Sequence, residues 1–272
     1  VMRMAELGIL DFENFDFISP PGKKGIIGAI DTLNMLDALE SDRSLSSIGK
    51  MMCLFPLAPR QSRIIVEAIT RYPDLVEEVL IAAAFLSARS PVIFPEGEEI
   101  EARKAHALFD EPLGDFASFL KVFRMYSQAL DKERFCKIHY LDDRVMAEIA
   151  NIKEQLELIV SDMGVPILSG GKMEHYLTAI AKGMIQFVCS AQGRDSYRSL
   201  TTEKIFIHPG SCMYKEKEQF IVAGEIVRTS RMYAMSVSPL SKKIIEEVAP
   251  ALLKRKDKRA KKEKDEHRAE QK

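Results

Sequence analysis

The 272-residue chain contains no tryptophan and only four cysteines, Cys53, Cys136, Cys189 and Cys212, which lie far apart. Because no CxxC pair occurs, neither a zinc knuckle nor a disulfide framework is expected, and a reducing compartment suits the pattern. No apolar run approaches the ~18 residues of a membrane-spanning helix, and the first residues lack the charged-then-apolar order of a signal peptide. A cytoplasmic protein with no membrane partner is the expectation. The formal net charge of −1 gives the chain as a whole no electrostatic signature of nucleic-acid binding.

Catalytic signatures are missing as well. A GxxxxGK[ST] phosphate loop needs a glycine five residues before its Gly-Lys pair, but Phe17 stands five before Gly22 and Pro166 five before Gly171. The histidines, His106, His139, His175, His208 and His267, form neither HxxxH nor HExxH. Ser211, in "HPGSC", has no GxSxG elbow around it. Asp142 and Asp143 can chelate a cation, yet they stand where a helix begins, and capping explains them without a metal. No catalytic residue, metal ligand or cofactor is therefore expected in this segment; a phosphodiesterase built on Asp142, Asp143 and His208 is the least supported reading.

What is present changes character along the chain. Ile26, Ile30, Leu33, Leu36 and Leu39 recur at helical spacing after Pro20-Pro21-Gly22, predicting a helix over 25–40. Ser46 is placed to cap a short second helix ending near Pro56, and a hairpin or wing is expected to complete the unit. Pro59 suits the first turn of a helix over 59–72, and further helices are predicted at 75–88, 99–109, 115–129, 131–138, 142–162 and 173–190. From Ser196 the period becomes two, in "SYRSL", "KIFIHP" and "QFIVAGEIVRTSRMYAMSVSP", which predicts a small antiparallel barrel. A helix over 241–253 follows, and then a tail from Lys254 with ten basic and five acidic residues. The opening "VMRMAEL" has no initiating methionine and reads as the cut end of a longer polypeptide.

Particular strings lie within this order. "FDFISPP", "AIDTLNMLDAL" and "LSSIGKMMCLFPLAPRQSRII" come first; "VLIAAAFLSAR", "AHALF", "GDFASFLKVF", "RFCKIHYL" and "IKEQL" follow; "QGRDSYRSL", "IHPGS" and "EIVRTSRMYA" come last. Their order over roughly residues 1–253 resembles the C-terminal portion of the DEAH-box (DEAH/RHA) ATP-dependent RNA helicases. Glu225, Thr229, Ser230, Arg231 and Ala234 look closer to bacterial members. The chain departs from the family pattern at Gly22 and Gly210, where a proline and a serine are usual, and in lacking a tryptophan before the last helix.

The resemblance implies an α+β chain with a winged helix plus helical bundle followed by an OB-fold. The linker and winged helix would occupy 1–58, the ratchet-like bundle 59–165, the OB-fold with flanking helices 166–253, and a basic, disordered tail 254–272. It implies single-stranded RNA and the parent's own RecA-like domains as partners, with ATP and Mg belonging to those domains. A docking platform for regulatory proteins is the alternative, and the mild acidity of residues before the tail suits it.

Surfaces that follow single strands combine cations on phosphates with aromatics on which bases stack. In the barrel Arg194, Arg198, Lys215, Lys217, Arg228 and Arg231 are the candidate cations, and Tyr197, Phe206 and Tyr214 the candidate stackers. Strand alternation puts Tyr197 and Arg198 on opposite faces, with Arg198 expected outward and Tyr197 packed. In the bundle Arg60, Arg63 and Arg89 are candidate phosphate contacts, against the plainer reading of solvated helix-face arginines. His208-Pro209 is expected to end a strand, since proline cannot donate to the ladder. The tail is expected to add salt-sensitive, non-specific attraction.

Overall fold

The computed structural model describes residues 1–253, so the expectation of a disordered, RNA-attracting tail over 254–272 lies outside the described residues. Helix α1 (Met2–Glu6) and an irregular segment lead into α2 (Lys23–Met35), which buries Ile26 and Leu33. That helix ends earlier than its periodicity predicted. Asp37 turns left-handed at φ 57°, and the chain enters a tight turn closed by a bridge between Leu39 and Leu45. The paired residues thus lie between α2 and α3 (Ser47–Met52) rather than after them. Ser46 caps α3 as expected, its Oγ accepting the Gly49 N–H at 2.9 Å.

The bundle is built on α4 (Pro59–Arg71) and α5 (Val76–Ser87). Pro59 does occupy the first helical position, where its missing N–H has no partner to lose. Helix α5 is apolar nearly all round, and Val76 through Phe85 are buried except for Glu77. Such a helix must sit at the centre, and α4, α7 (Asp115–Gln128), α9 (Asp143–Asp162) and α10 (Met173–Gly183) pack around it. The smaller α6 (Glu99–Ala107) and α8 (Lys132–Ile138) complete the helical set, α8 packing on α7 and α9. Asp142 caps α9 by accepting the Arg144 and Val145 N–H groups at 3.1 and 3.2 Å, the role weighed above against metal binding.

Sequence periodicity carried α10 to residue 190, but the helix stops at Gly183. A short 3-10 turn leads into β1 (Val188–Gln192). Val188, Cys189 and Ser190 are buried; a short apolar run of this kind reads equally as helix or strand, and pairing with β4 decides it. Strands β2 (Ser196–Arg198), β3 (Ile205–Ile207), β4 (Phe220–Arg228) and β5 (Met232–Pro239) complete a closed barrel in the order β1-β2-β3-β5-β4. Its closure differs from the all-antiparallel expectation: β3 pairs with β5 in parallel, Phe206 opposite Tyr233. Helix α11 (Lys242–Val248), capped by Ser241, returns to pack on α10.

Bundle and barrel share a hydrophobic cluster across their contact, and the barrel keeps a smaller core of its own. Ile64, Phe116, Tyr176 and Ile180 of the helices belong to the same buried cluster as Val188, Phe220 and Val222 of the barrel wall. A polar seam adds direction to this contact. Gly114, at φ 83° and ψ −169°, lies against β5, where an added Cβ would sit 2.4 Å from the Val237 carbonyl oxygen and 2.6 Å from Ser238 Cα. The next residue, Asp115, accepts hydrogen bonds from Ser211 Oγ at 2.6 Å, Cys212 N at 3.0 Å and Val237 N at 2.6 Å. Phe116 N–H donates to Ser238 Oγ at 3.2 Å, while Tyr176 OH donates to the Phe116 carbonyl. On the barrel side Ser236 is left-handed at φ 54°, and the β4–β5 register skips the Gly224–Ser236 step.

Replacing Gly114 with alanine should therefore lower stability by about 1–3 kcal/mol from backbone strain alone, with the overlap on β5 adding to it. Urea unfolding checks this against Gly28→Ala, which has open space at its Cβ inside α2 and should be neutral or stabilising by about 0.4–1 kcal/mol.

Candidate nucleic-acid interface

Three connections of the barrel meet over one cleft of about 490 Å³. The β1–β2 turn supplies Arg194, the β3–β4 connection supplies Tyr214, Lys215 and Lys217, and the β4–β5 turn supplies Arg231; Phe206 and Tyr233 lie side by side on β3 and β5 beneath them. Asp195 and Glu216 are the acidic residues of the lining, so its cations outnumber its anions by four to two. Arg194, Lys215, Lys217 and Arg231 are exposed, and none forms an ion pair with a described residue. Arg231 instead lies over the Phe206 ring at 5.1 Å, a contact in which the ring face attracts the guanidinium. Tyr214 is half exposed, and Tyr233 receives the His208 ring edge-on at 5.6 Å. A positive rim beside partly exposed rings, of which Tyr214 is the most open, can hold a phosphate backbone while bases stack on the aromatics.

The other sequence candidates fall elsewhere. Tyr197 reaches the cleft wall but is only 5% exposed, and its hydroxyl donates to the Glu218 carbonyl at 3.0 Å. It is a packed residue with no free ring face, so the stacking role does not apply. Arg198 is half-buried on the opposite face of β2, where Nε donates to Ser190 Oγ at 3.4 Å, and it does not line the cleft. Arg228 is exposed at the end of β4, outside the lining. His208 follows β3 and donates its N–H to the Ala234 carbonyl, a strand-end role.

The bundle arginines require correction. Arg63 is 2% exposed: Nε donates to the Leu36 carbonyl at 2.9 Å and Nη1 to Glu67 at 2.7 Å. A guanidinium sealed against α2's end can reach neither phosphate nor solvent. Arg60 is half-buried, donates to Gln186 Oε1, and lies 4.6 Å over Phe187, burial pulling its pKa down. Gln186 in turn donates to Thr32 Oγ1 at 2.8 Å, so Arg60 is committed to a junction of α2, α4 and the entry to β1. Arg89 is exposed but paired with Asp142 at 2.7 Å. It steadies the α9 cap.

Sequence reasoning missed two contributors. Tyr233 enters the cleft only because β5 runs parallel to β3, which alternation alone does not reveal. Asp115 looked like an ordinary first-turn acid; its partners are about a hundred residues away. The Cys212 thiol beside it is pushed up to about 12, first by burial and then by the Asp115 carboxylate. Burial pushes Cys189 up to about 12 as well. Such thiols hold almost no thiolate at neutral pH, which is the form that reacts.

Among the described residues no cluster of His, Cys, Asp and Glu is arranged to hold a metal, and no helix is long and apolar enough to cross a membrane. Comparison with known proteins matches two stretches of the chain. Residues 58–137 match the family described as helicase associated domain (HA2), ratchet-like, and residues 177–252 match the oligonucleotide/oligosaccharide-binding (OB)-fold. The chain is thus a helicase-associated bundle joined to an OB-fold barrel.

It is 40% identical over 250 residues to the ATP-dependent RNA helicase HrpA of Borreliella burgdorferi, covering 91% of this chain and 30% of that protein. Identity is 26% over 257 residues to the pre-mRNA-splicing factor ATP-dependent RNA helicase prp22 of Schizosaccharomyces pombe, covering 93% and 22%. For the pre-mRNA-splicing factor ATP-dependent RNA helicase DEAH10 of Arabidopsis thaliana it is 27% over 267 residues, covering 92% and 37%. The chain therefore spans between 22% and 37% of the length of these relatives. The two matched domains and the identity to these helicases support a C-terminal region of a DEAH-box helicase.

Because Arg63 and Glu67 are buried together, Arg63→Ala should cost about 3 kcal/mol by leaving the buried Glu67 carboxylate to the partly exposed Arg71 alone and the Leu36 carbonyl without its donor, whereas Arg89→Ala should cost less than about 1 kcal/mol; chemical denaturation of both variants checks the contrast. Cys189 and Cys212 should stay unmodified by a disulfide reagent at pH 8 until denaturant is added, as read by mass spectrometry.

Proposed function

We propose that this chain is the single-strand-guiding accessory region of an ATP-dependent RNA helicase. Its barrel cleft holds RNA beside RecA-like ATPase domains of the parent protein, and the ATP and Mg belong to those domains. The observation that carries this reading is the cleft itself. Four cations without an ion-pair partner among the described residues converge from separate loops onto a floor of Phe206 and Tyr233, with Tyr214 at the edge. Neighbouring phosphates attract such a rim regardless of base identity, and ring faces accept any base. RNA rather than another polyanion is favoured by the relatives, whose names describe RNA helicases.

In this proposal residues 1–58 act as linker and winged helix, 59–165 as the ratchet-like bundle and 166–253 as the OB-fold, in a cytoplasmic protein. The first unit leaves Phe15, Ile18, Ile27 and Leu54 exposed, which supports a second role for it as a docking surface for the ATPase domains or a regulatory protein.

Fluorescence anisotropy of a labelled twelve-residue oligouridylate, titrated with the chain at increasing salt, tests the main reading. Affinity should fall with a log–log slope of about −0.7 per phosphate neutralised. Arg194→Ala with Arg231→Ala should weaken binding and flatten that slope by about 1.4, while Arg198→Ala should leave the slope unchanged. Tyr214→Ala should cost about 1–3 kcal/mol without altering the slope. Binding that ignores salt, or none at low salt, would falsify the proposal.

A further inference from the structure

The cleft's lysines sit on a connection that is fastened from behind. Between β3 and β4 the chain winds through successive turns centred on Ser211: its N–H donates to the His208 carbonyl, its carbonyl accepts from Tyr214 N, and its Oγ accepts from Met213 N at 3.1 Å. Gly210 N–H donates to His208 Nδ1 at 3.0 Å, and Glu216 N–H donates to the Met213 carbonyl. Met213 is buried in the barrel's own core. Outside the barrel, among the described residues, the winding is held chiefly by the Asp115 carboxylate, which takes the Ser211 hydroxyl and the Cys212 N–H, with a longer contact in which Cys212 Sγ donates to the Glu111 carbonyl at 3.9 Å. Tyr214, Lys215 and Lys217 begin two residues beyond that anchor.

Asp115 itself lines a second cavity, of about 420 Å³, on the bundle side, and Pro209 borders both spaces. The connection is therefore a thin wall, with strand-facing cations on one side and the anchor on the other. We infer that Asp115 is a positioning residue for nucleic-acid binding: it touches no strand, and it sets where Lys215 and Lys217 stand over the cleft. Replacing the carboxylate by an amide removes the charge and one of the two oxygens that the Ser211 hydroxyl, the Cys212 N–H and the Val237 N–H share, which lets the lysine-bearing turns drift from the phosphate path. This inference rests on the proposed strand-binding role of the cleft.

A double-mutant cycle on the intact 272-residue chain tests it, with the same oligouridylate probe. Asp115→Asn should weaken binding about tenfold and flatten the salt slope by up to about 1.4, the share of two lysine contacts. Adding Lys215→Ala and Lys217→Ala to that variant should then cost less than about twofold more, since coupled neighbours do not add. A merely structural defect lowers the fraction of binding-competent protein and leaves the slope alone, so stoichiometric titration separates the two. Should Asp115→Asn fail to fold, Ser211→Ala removes one of the anchor bonds without touching α7, and the same coupling is expected. Additive losses, or an unchanged slope in the anchor variant, overturn the inference while leaving the cleft's role intact. Failure of the unmodified chain to bind the probe overturns both.

Discussion

One carboxylate holds the two halves of this molecule in register. Asp115 opens α7, accepts three hydrogen bonds from the barrel and is seated there because Gly114 lets the backbone come flush against β5. Hydrophobic burial between bundle and barrel is larger in energy, at about 1.5–3 kcal/mol per fully buried aliphatic or aromatic side chain, but it is non-directional. The apolar faces would tolerate a sliding contact. Charge-assisted hydrogen bonds are roughly twice as strong as neutral ones and depend on geometry, so this cluster fixes which barrel strand meets which helix end.

A second polar arrangement does the same for the N-terminal unit. Arg63 and Glu67, one turn apart on α4, are buried together beneath the end of α2, and Arg71 links Glu67 outward to Glu247 of α11. Burying an ion pair brings little net stability. Its partners here are spread over α2, α4 and α11, so one relative placement of those helices satisfies all the groups. The Arg60–Gln186–Thr32 chain, one turn away, works alongside it.

Much of the helical framework was legible because its boundaries are chemical. Ser46 and Asp142 cap where they were expected to, and Pro59 starts α4. What could not be read was orientation. A Glu four residues after an Arg looks like a solvated pair on any helix; only the packing of α2 over α4 shows that Arg63 is enclosed. "FVCSAQ" continued an apolar run, and nothing local signals that β4 rather than α4 will receive it. In the cleft, Arg194, Lys215, Lys217 and Arg231 were legible as turn and loop cations, while Tyr233 depended on a parallel pairing between strands separated in sequence. Asp115 was hidden for the same reason: its function is entirely non-local.

The left-handed Ser236 has a consequence for how such a region is inherited. At that step the barrel gives up a rung of its own β4–β5 ladder, and the adjacent Val237 N–H is satisfied by the bundle instead. Neither half is chemically self-sufficient at the seam: a barrel moved alone into another protein would carry an orphaned amide and a bare serine turn, and a bundle alone would carry an unanswered carboxylate. Selection acting on this surface therefore sees a single heritable module, and shuffling can move it intact but has no clean place to cut it.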